Sequence, residues 1–164
     1  MATTPQARAT AEALAGGATV VWHGDLRSGE GSLRFALGAG GELSLRWPGS
    51  ASYGPGATSP EELAAASHAA CFTMTLSDVL RRRRHPAREI ATEAKTTFGV
   101  AAGLRVIRRS QLAITVDADG LSEPDLENAA EVAGRYCPVS NTFKIAGAEI
   151  DVRARLGPTE VARA

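Results

Sequence analysis

The chain has 164 residues, enough for one domain with a real core and short for two. Its 18 basic and 18 acidic side chains cancel, which argues against a nucleic-acid or charged-membrane partner, since both usually need a basic excess. Hydrophobic residues make up 44% and charged residues 22%, ordinary globular values, and aromatic residues are so few that the core must be built from Ala, Leu, Val and Ile.

Residues 1–17 are small and polar and read as a flexible leader. They lack the basic start and continuous apolar block of a secretory signal. No run of about 20 apolar residues suggests a membrane span. Three short strands follow, within 18–23, 32–37 and 42–47, each alternating and separated by glycine turns. Leu33, Phe35 and Leu37 fall on one face of the second. This spacing predicts an antiparallel meander with one buried face. Residues 48–57, PGSASYGPGA, form a loop by composition.

Ser59, Pro60 and Glu62 form a capping-box helix start. From Leu63 to Leu80 the segment carries no charge before Asp78 and has no polar face. Such a helix expects burial on every side, by sheet or by a partner subunit. Arg81 to Arg84 favour the negative end of its dipole, and Pro86 stops it. The basic run is read as a solvated helix end. Two strands are predicted over 89–100 and 104–118, around Ala101-Ala102-Gly103. Ser122 caps a further helix that closes near Gly134, Pro138 to Lys144 makes a short helical turn, and 148–156 is a last strand. Residues 157–164 are a tail. The fold class is α+β.

The two cysteines, Cys71 and Cys137, carry the chemical interest. In a chain without a signal peptide they point to the cytoplasm, where disulfides are usually catalytic or redox-sensing. Cys71 lies in the least charged stretch; the plain reading is a small apolar residue filling a helix face. Cys137 precedes Pro138 and can cap the following turn, where helix amides lower a thiol pKa; it can equally be an incidental loop cysteine. Their separation in sequence permits adjacency without showing it. His68 lies three residues before Cys71 on one helix face. It either promotes a thiolate or packs in the core with its nitrogens bonded. A metal site from Cys71, His68 and Cys137 lacks the usual CxxC or HxxxH pair. Glu61 neighbours the capping Glu62. Ten residues of unbroken helix would place it about 15 Å from Cys71, so joining the two needs a helix break near 66–68 or a bridging arginine. Arg27 and Arg46 are the candidates; each can equally be a surface cation.

At these residues the chain resembles the OsmC/Ohr family of osmotically inducible and organic hydroperoxide resistance proteins. TSPEELAAASHAACF, Thr58 to Phe72, is similar to the family helix around the peroxidatic cysteine, and CPVSN, Cys137 to Asn141, to the motif of the second cysteine. WHGDLRSGEG, Trp22 to Gly31, resembles OsmC openings. The match runs over about 18–156. The resemblance implies a single OsmC-like domain, antiparallel sheets wrapped around a buried central helix, and an intertwined homodimer. It implies a thiol peroxidase acting on organic hydroperoxides, less on hydrogen peroxide. Cys71 is then peroxidatic, Cys137 resolving, and Glu61 the partner of a catalytic arginine, Arg27 by the first-turn match. The loop before the helix contains no arginine, and Arg46 lies just upstream. A lipoylated protein or another dithiol would restore the thiols, with no metal or organic cofactor. Leu, Phe72, Met74 and Ala side chains would line an apolar pocket. The alternatives are a non-catalytic binding or redox-sensing domain of the same fold, and a thiol hydrolase or transferase.

Overall fold

The structure, a computed structural model, describes residues 16–158. The expected leader, apart from Gly16 and Gly17, and the tail beyond residue 158 lie outside the described residues. The chain divides into two compact units, one up to Ser59 and one from Pro60.

The N-terminal unit is a four-stranded sheet in the order β1 (Ala18–His23), β2 (Glu30–Phe35), β3 (Glu42–Leu45), β4 (Ala57–Thr58). β1, β2 and β3 pair antiparallel as the alternation predicts, with Val20 opposite Leu33 and Leu33 opposite Leu43. Glycine is required at Gly31, opposite Trp22: a Cβ there would come within 2.8 Å of both the Trp22 ring and the Val21 carbonyl. The expected apolar face is only partly formed. Leu33 and Leu45 are buried, but Phe35 is partly exposed. Leu37 falls in the turn after β2 and is fully exposed, because the strand ends two residues early. Part of the supposed loop adds the short strand β4, which pairs parallel to β3. Two residues between Gly56 and Ser59 show no period, so sequence patterning could not reveal it.

The C-terminal unit holds α1 (Pro60–Arg82), β5 (Glu89–Ala101), β6 (Leu104–Asp117), α2 (Glu123–Tyr136), α3 (Pro138–Ile145) and β7 (Glu149–Leu156). β5 and β6 form a long antiparallel hairpin through the turn Ala102-Gly103, both at positive φ, as a tight two-residue hairpin turn requires. β7 pairs parallel to β6, correcting the expectation of purely antiparallel sheets. The physical cause is the crossover: α2 and α3 carry the chain back across the sheet before β7 begins. α2 starts as predicted, with Ser122 Oγ accepting the Asp125 amide. It runs two residues past Gly134, which stays inside the helix against Phe72.

α1 packs on β5, α2 and α3. Phe72, Leu76 and Leu80 are fully buried with Leu112, Val116, Leu126 and Ala129; burying each large side chain stabilises the fold by about 1.5–3 kcal/mol. Burial on every side is not what this helix shows. Ala66, Ala70, Met74 and Ser77 form an exposed stripe, because sheet and helices cover only the other faces. By length and composition α1 is apolar enough to cross a membrane, contrary to the expectation that no segment is. Its Phe72, Leu76 and Leu80 are buried against the rest of the C-terminal unit. It ends in a Schellman motif: Arg84 takes φ 67°, and the His85 and Arg84 amides donate to the Leu80 and Arg81 carbonyls.

Candidate active site

Two elements of the C-terminal unit bring the cysteines together. Cys71 projects from the middle of α1, and Cys137 is the residue between α2 and α3. Their sulfurs lie 3.4 Å apart and both thiols are free. A disulfide needs about 2.05 Å, so the bond requires a shift of only about 1.3 Å. The contact joins residues 66 positions apart in sequence.

The environments of the two thiols differ. Cys137 is fully buried, and its extended backbone caps α3, with the Ser140 amide donating to Sγ at 3.5 Å. The cap expected from Cys137-Pro138 is therefore formed. Cys71 is half-buried. Burial pushes its thiol up from the ordinary 9.0. The Val139 backbone amide acts the other way, while Cys137 adds to the rise and the Thr75 hydroxyl opposes it. The net direction is upward, so these neighbours alone favour the thiol over the thiolate.

Cys71 lies in the wall of a cavity of about 790 Å³ lined by Met74, Thr75, Val79, Val132, Tyr136 and Pro138, with Asp78, Arg82 and Arg83 also in its lining. Phe72 was expected here and is instead fully buried in the core with Leu76 and Leu80, because it points about 100° round α1 from Cys71. Arg82 pairs with Asp78 at 2.6 Å, and Arg83 donates to the Asn128 side chain at 2.7 Å. The basic run read as a solvated helix end thus also supplies the cationic part of the cavity. The signal was present in sequence: Cys71, Thr75, Asp78 and Arg82 follow one another at three-to-four spacing and share one helix stripe.

His68 is fully buried. Its Nδ1 lies 2.7 Å from Ser110 Oγ and its Nε2 2.7 Å from Ser140 Oγ. Burial lowers its pKa below the usual 6.5, and Lys144 lowers it further. A neutral imidazole has one donor and one acceptor, and both are committed to serines. His68 is therefore the packed and bonded core histidine, with no nitrogen left for Cys71. Ser110 and Ser140 escaped sequence reading, since nothing in a lone serine marks it as a histidine partner. Among the described residues no group of three or more metal-capable side chains gathers.

Glu61 sits in the first turn of α1, and Thr96 Oγ1 donates to its backbone carbonyl at 2.8 Å. Its carboxylate oxygen Oε2 is buried without a hydrogen-bond partner, a costly state for a carboxylate. α1 runs unbroken from Pro60 to Arg82, which removes the helix break as a route to Cys71. Arg27 and Arg46 belong to the N-terminal unit. There Arg27 lies over the Trp47 ring at 5.8 Å, and Arg46 pairs with Glu30 at 2.5 Å.

The α+β architecture thus sets two free thiols in contact beside a cavity. The OsmC-like protein family matches residues 52–153, and the chain belongs to it. It is 28% identical over 127 residues to the Peroxiredoxin OsmC of Escherichia coli, covering 75% of this chain and 85% of the relative. In fold it is similar to the organic hydroperoxide resistance protein OhrB of Bacillus subtilis, with a TM-score of 0.64, 22% identity and coverage of 86% of this chain and 98% of the other. It is also similar to an OsmC-like protein of unknown function from Vibrio cholerae, with a TM-score of 0.68, 16% identity and coverage of 87% and 99%. These relationships support a peroxidase-like role at the level of the family.

Proposed function

We propose that the protein is a thiol-dependent peroxidase that reduces organic hydroperoxides, and hydrogen peroxide less readily, within one OsmC-like domain over 18–156. The observation that carries this reading is the 3.4 Å contact between a cavity-facing thiol and a buried one. The Cys71 thiolate attacks the distal peroxide oxygen, the O–O bond breaks, and the alcohol leaves with a proton. Cys71 becomes a sulfenic acid, the reversible rung of thiol oxidation. The Cys137 thiolate attacks that sulfur, the S–S bond forms, and the oxygen leaves as water. An external dithiol, a lipoylated protein or another small thiol reductant, then restores both thiols in the cytoplasm. The apolar cavity wall favours organic over inorganic peroxide.

Because its neighbours push the Cys71 thiol up, the reading needs a cation to hold the thiolate. Arg27 takes that role, with Glu61 orienting it; the unpartnered Glu61 oxygen suits a guanidinium. The exposed stripe on α1 suits a homodimer. The raised Cys71 pKa is also what favours the second reading, a slow redox sensor of the same fold.

Consumption of cumene hydroperoxide with dihydrolipoamide separates the two. The expected result is sustained turnover, with a Cys71–Cys137 disulfide seen as a loss of two hydrogens in the intact mass. Stoichiometric oxidation without turnover would leave the sensor. Unchanged consumption by Cys71→Ser would sink both.

A further inference from the structure

We infer that His68 is a positioning residue for both cysteines, acting through Ser140: it holds the first turn of α3, whose backbone amides serve the two sulfurs. The inference deepens the peroxidase reading and takes its reaction steps from it.

The geometry is that of two successive rungs between the same two elements. Cys71 on α1 meets Cys137 at the start of α3, 3.4 Å apart. His68 lies three residues before Cys71, and Ser140 three residues after Cys137; these two meet at 2.7 Å. Three residues of helix advance about 4.5 Å, so the second rung stands about one turn from the first. Ser140 belongs to both rungs, because its hydroxyl meets His68 while its amide donates to Cys137 Sγ at 3.5 Å. The preceding amide, that of Val139, lies on the Cys71 side, where it works against the rise in the thiol pKa. Moving this turn moves a donor from each sulfur.

The other ties on α3 cannot replace this rung. Asn141 Nδ2 donates to the Arg135 carbonyl and Lys144 Nζ to the Gly134 carbonyl, each at 3.0 Å. Both hold α3 to α2, while the peroxidatic sulfur rides on α1. The Phe72 and Phe143 rings pack against the imidazole at centroid distances of 6.3 and 5.1 Å, and Ser110 fixes the far nitrogen. The ring therefore has one orientation, and that orientation sets where Ser140 stands.

Two substitutions separate the nitrogens. In His68→Asn the amide nitrogen replaces Nδ1, keeping the Ser110 bond and losing the Ser140 bond. In His68→Gln it replaces Nε2, keeping Ser140 and losing Ser110. Each leaves one buried serine unpaired, so a purely structural role predicts equal damage. The experiment adds one equivalent of cumene hydroperoxide to the full chain, follows disulfide closure by dimedone trapping of the sulfenic acid, and measures the pH midpoint of Cys71 alkylation by iodoacetamide.

His68→Asn is expected to close its disulfide about tenfold more slowly than His68→Gln, the usual scale for one lost buried hydrogen bond, and to alkylate with a higher midpoint. Equality of the two variants in either measurement overturns the inference. Should His68→Asn fail to fold, Ser140→Ala removes the same rung with less disturbance and carries the same expectation. If the parent protein forms no disulfide with peroxide, the peroxidase reading fails, and the alkylation midpoints still decide the inference because they need no peroxide.

Discussion

The surroundings of the two cysteines differ in nearly every respect. Cys71 sits mid-helix, where backbone amides are already spent on the helix itself, and it borders a cavity. Cys137 sits at a helix start, where amides are free to donate, and it is sealed from solvent. The cavity opens on the first, while the second is packed in the core against the first and the Ser140 amide. The difference teaches a division of labour: access is given to one sulfur and amide donors chiefly to the other, and α3 links them.

The strongest way to break this comparison is to remove each sulfur in turn. Cys71→Ser should lower peroxide consumption on the order of a thousandfold or more, the scale for losing a nucleophile. Cys137→Ser should keep the first turnover, visible as one equivalent of alcohol released, and then stall as a sulfenic or sulfinic acid. A Cys137→Ser protein that cycles at the parent rate with dihydrolipoamide would show that the buried sulfur has no part in turnover.

A second test concerns what the Cys71 surroundings lack. Burial and Cys137 push this thiol up from 9.0, and the Val139 amide and Thr75 do not offset them. If Arg27 holds the thiolate, alkylation of Cys71 in the parent protein will have a midpoint below 9.0, and Arg27→Met will raise it. Glu61→Gln should raise it by less, since it only orients the guanidinium. The same midpoint in Arg27→Met and in the parent, with Arg46→Met raising it instead, would transfer the role to Arg46.

The outline of this site was legible because it depends on short-range chemistry. Ser59-Pro60 before an uncharged run fixed the start of α1, Cys137-Pro138 marked the start of α3, and Ser122 capped α2 where expected. What pairs over long separations was not legible. Ser110 reaches His68 across 42 residues and Ser140 across 72, and no local pattern encodes either meeting. The parallel pairing of β7 depends on how α2 and α3 cross the sheet, which no strand sequence carries. Arg82 and Arg83 are an intermediate case. The spacing of Arg82 from Cys71 placed it on that side of the helix, while Arg83, one residue past α1, carries no such signal; the helix-end chemistry of both was sufficient to explain them without a cavity.

A third test reads the packing between the sulfurs through pH. The folded pKa of His68 lies below 6.5, chiefly through burial, so the unfolded chain takes up the proton more readily. Stability is then fully present above 6.5 and is lost as pH falls from there through the folded value. The slope from this group reaches at most about 1.4 kcal/mol per pH unit. Urea midpoints measured from pH 7 downward should fall in the parent protein, and the part due to His68 should vanish in His68→Gln. Identical pH slopes in the two would mean that His68 takes up its proton equally when folded.

The smallest effect belongs to the cavity wall. Arg83 is held by the Asn128 side chain and the Asp125 carbonyl, neither of which neutralises it. Arg82 and Arg81 share a single carboxylate, that of Asp78. The cavity that Cys71 faces therefore carries excess positive charge beside apolar side chains, an arrangement suited to a hydroperoxide with both an apolar chain and a carboxylate. Partly exposed charge pairs are worth about 0–1 kcal/mol, so Arg83→Met should raise KM for a fatty-acid hydroperoxide by only about threefold, with kcat unchanged. KM for cumene hydroperoxide, which has no charge for Arg83 to meet, should stay constant. A parallel rise for both substrates would mean that Arg83 shapes the cavity through its bonds to α2 and contributes nothing through its charge. Adding salt distinguishes the two, because screening weakens the charged contact and leaves the packing of α2 against α1 intact.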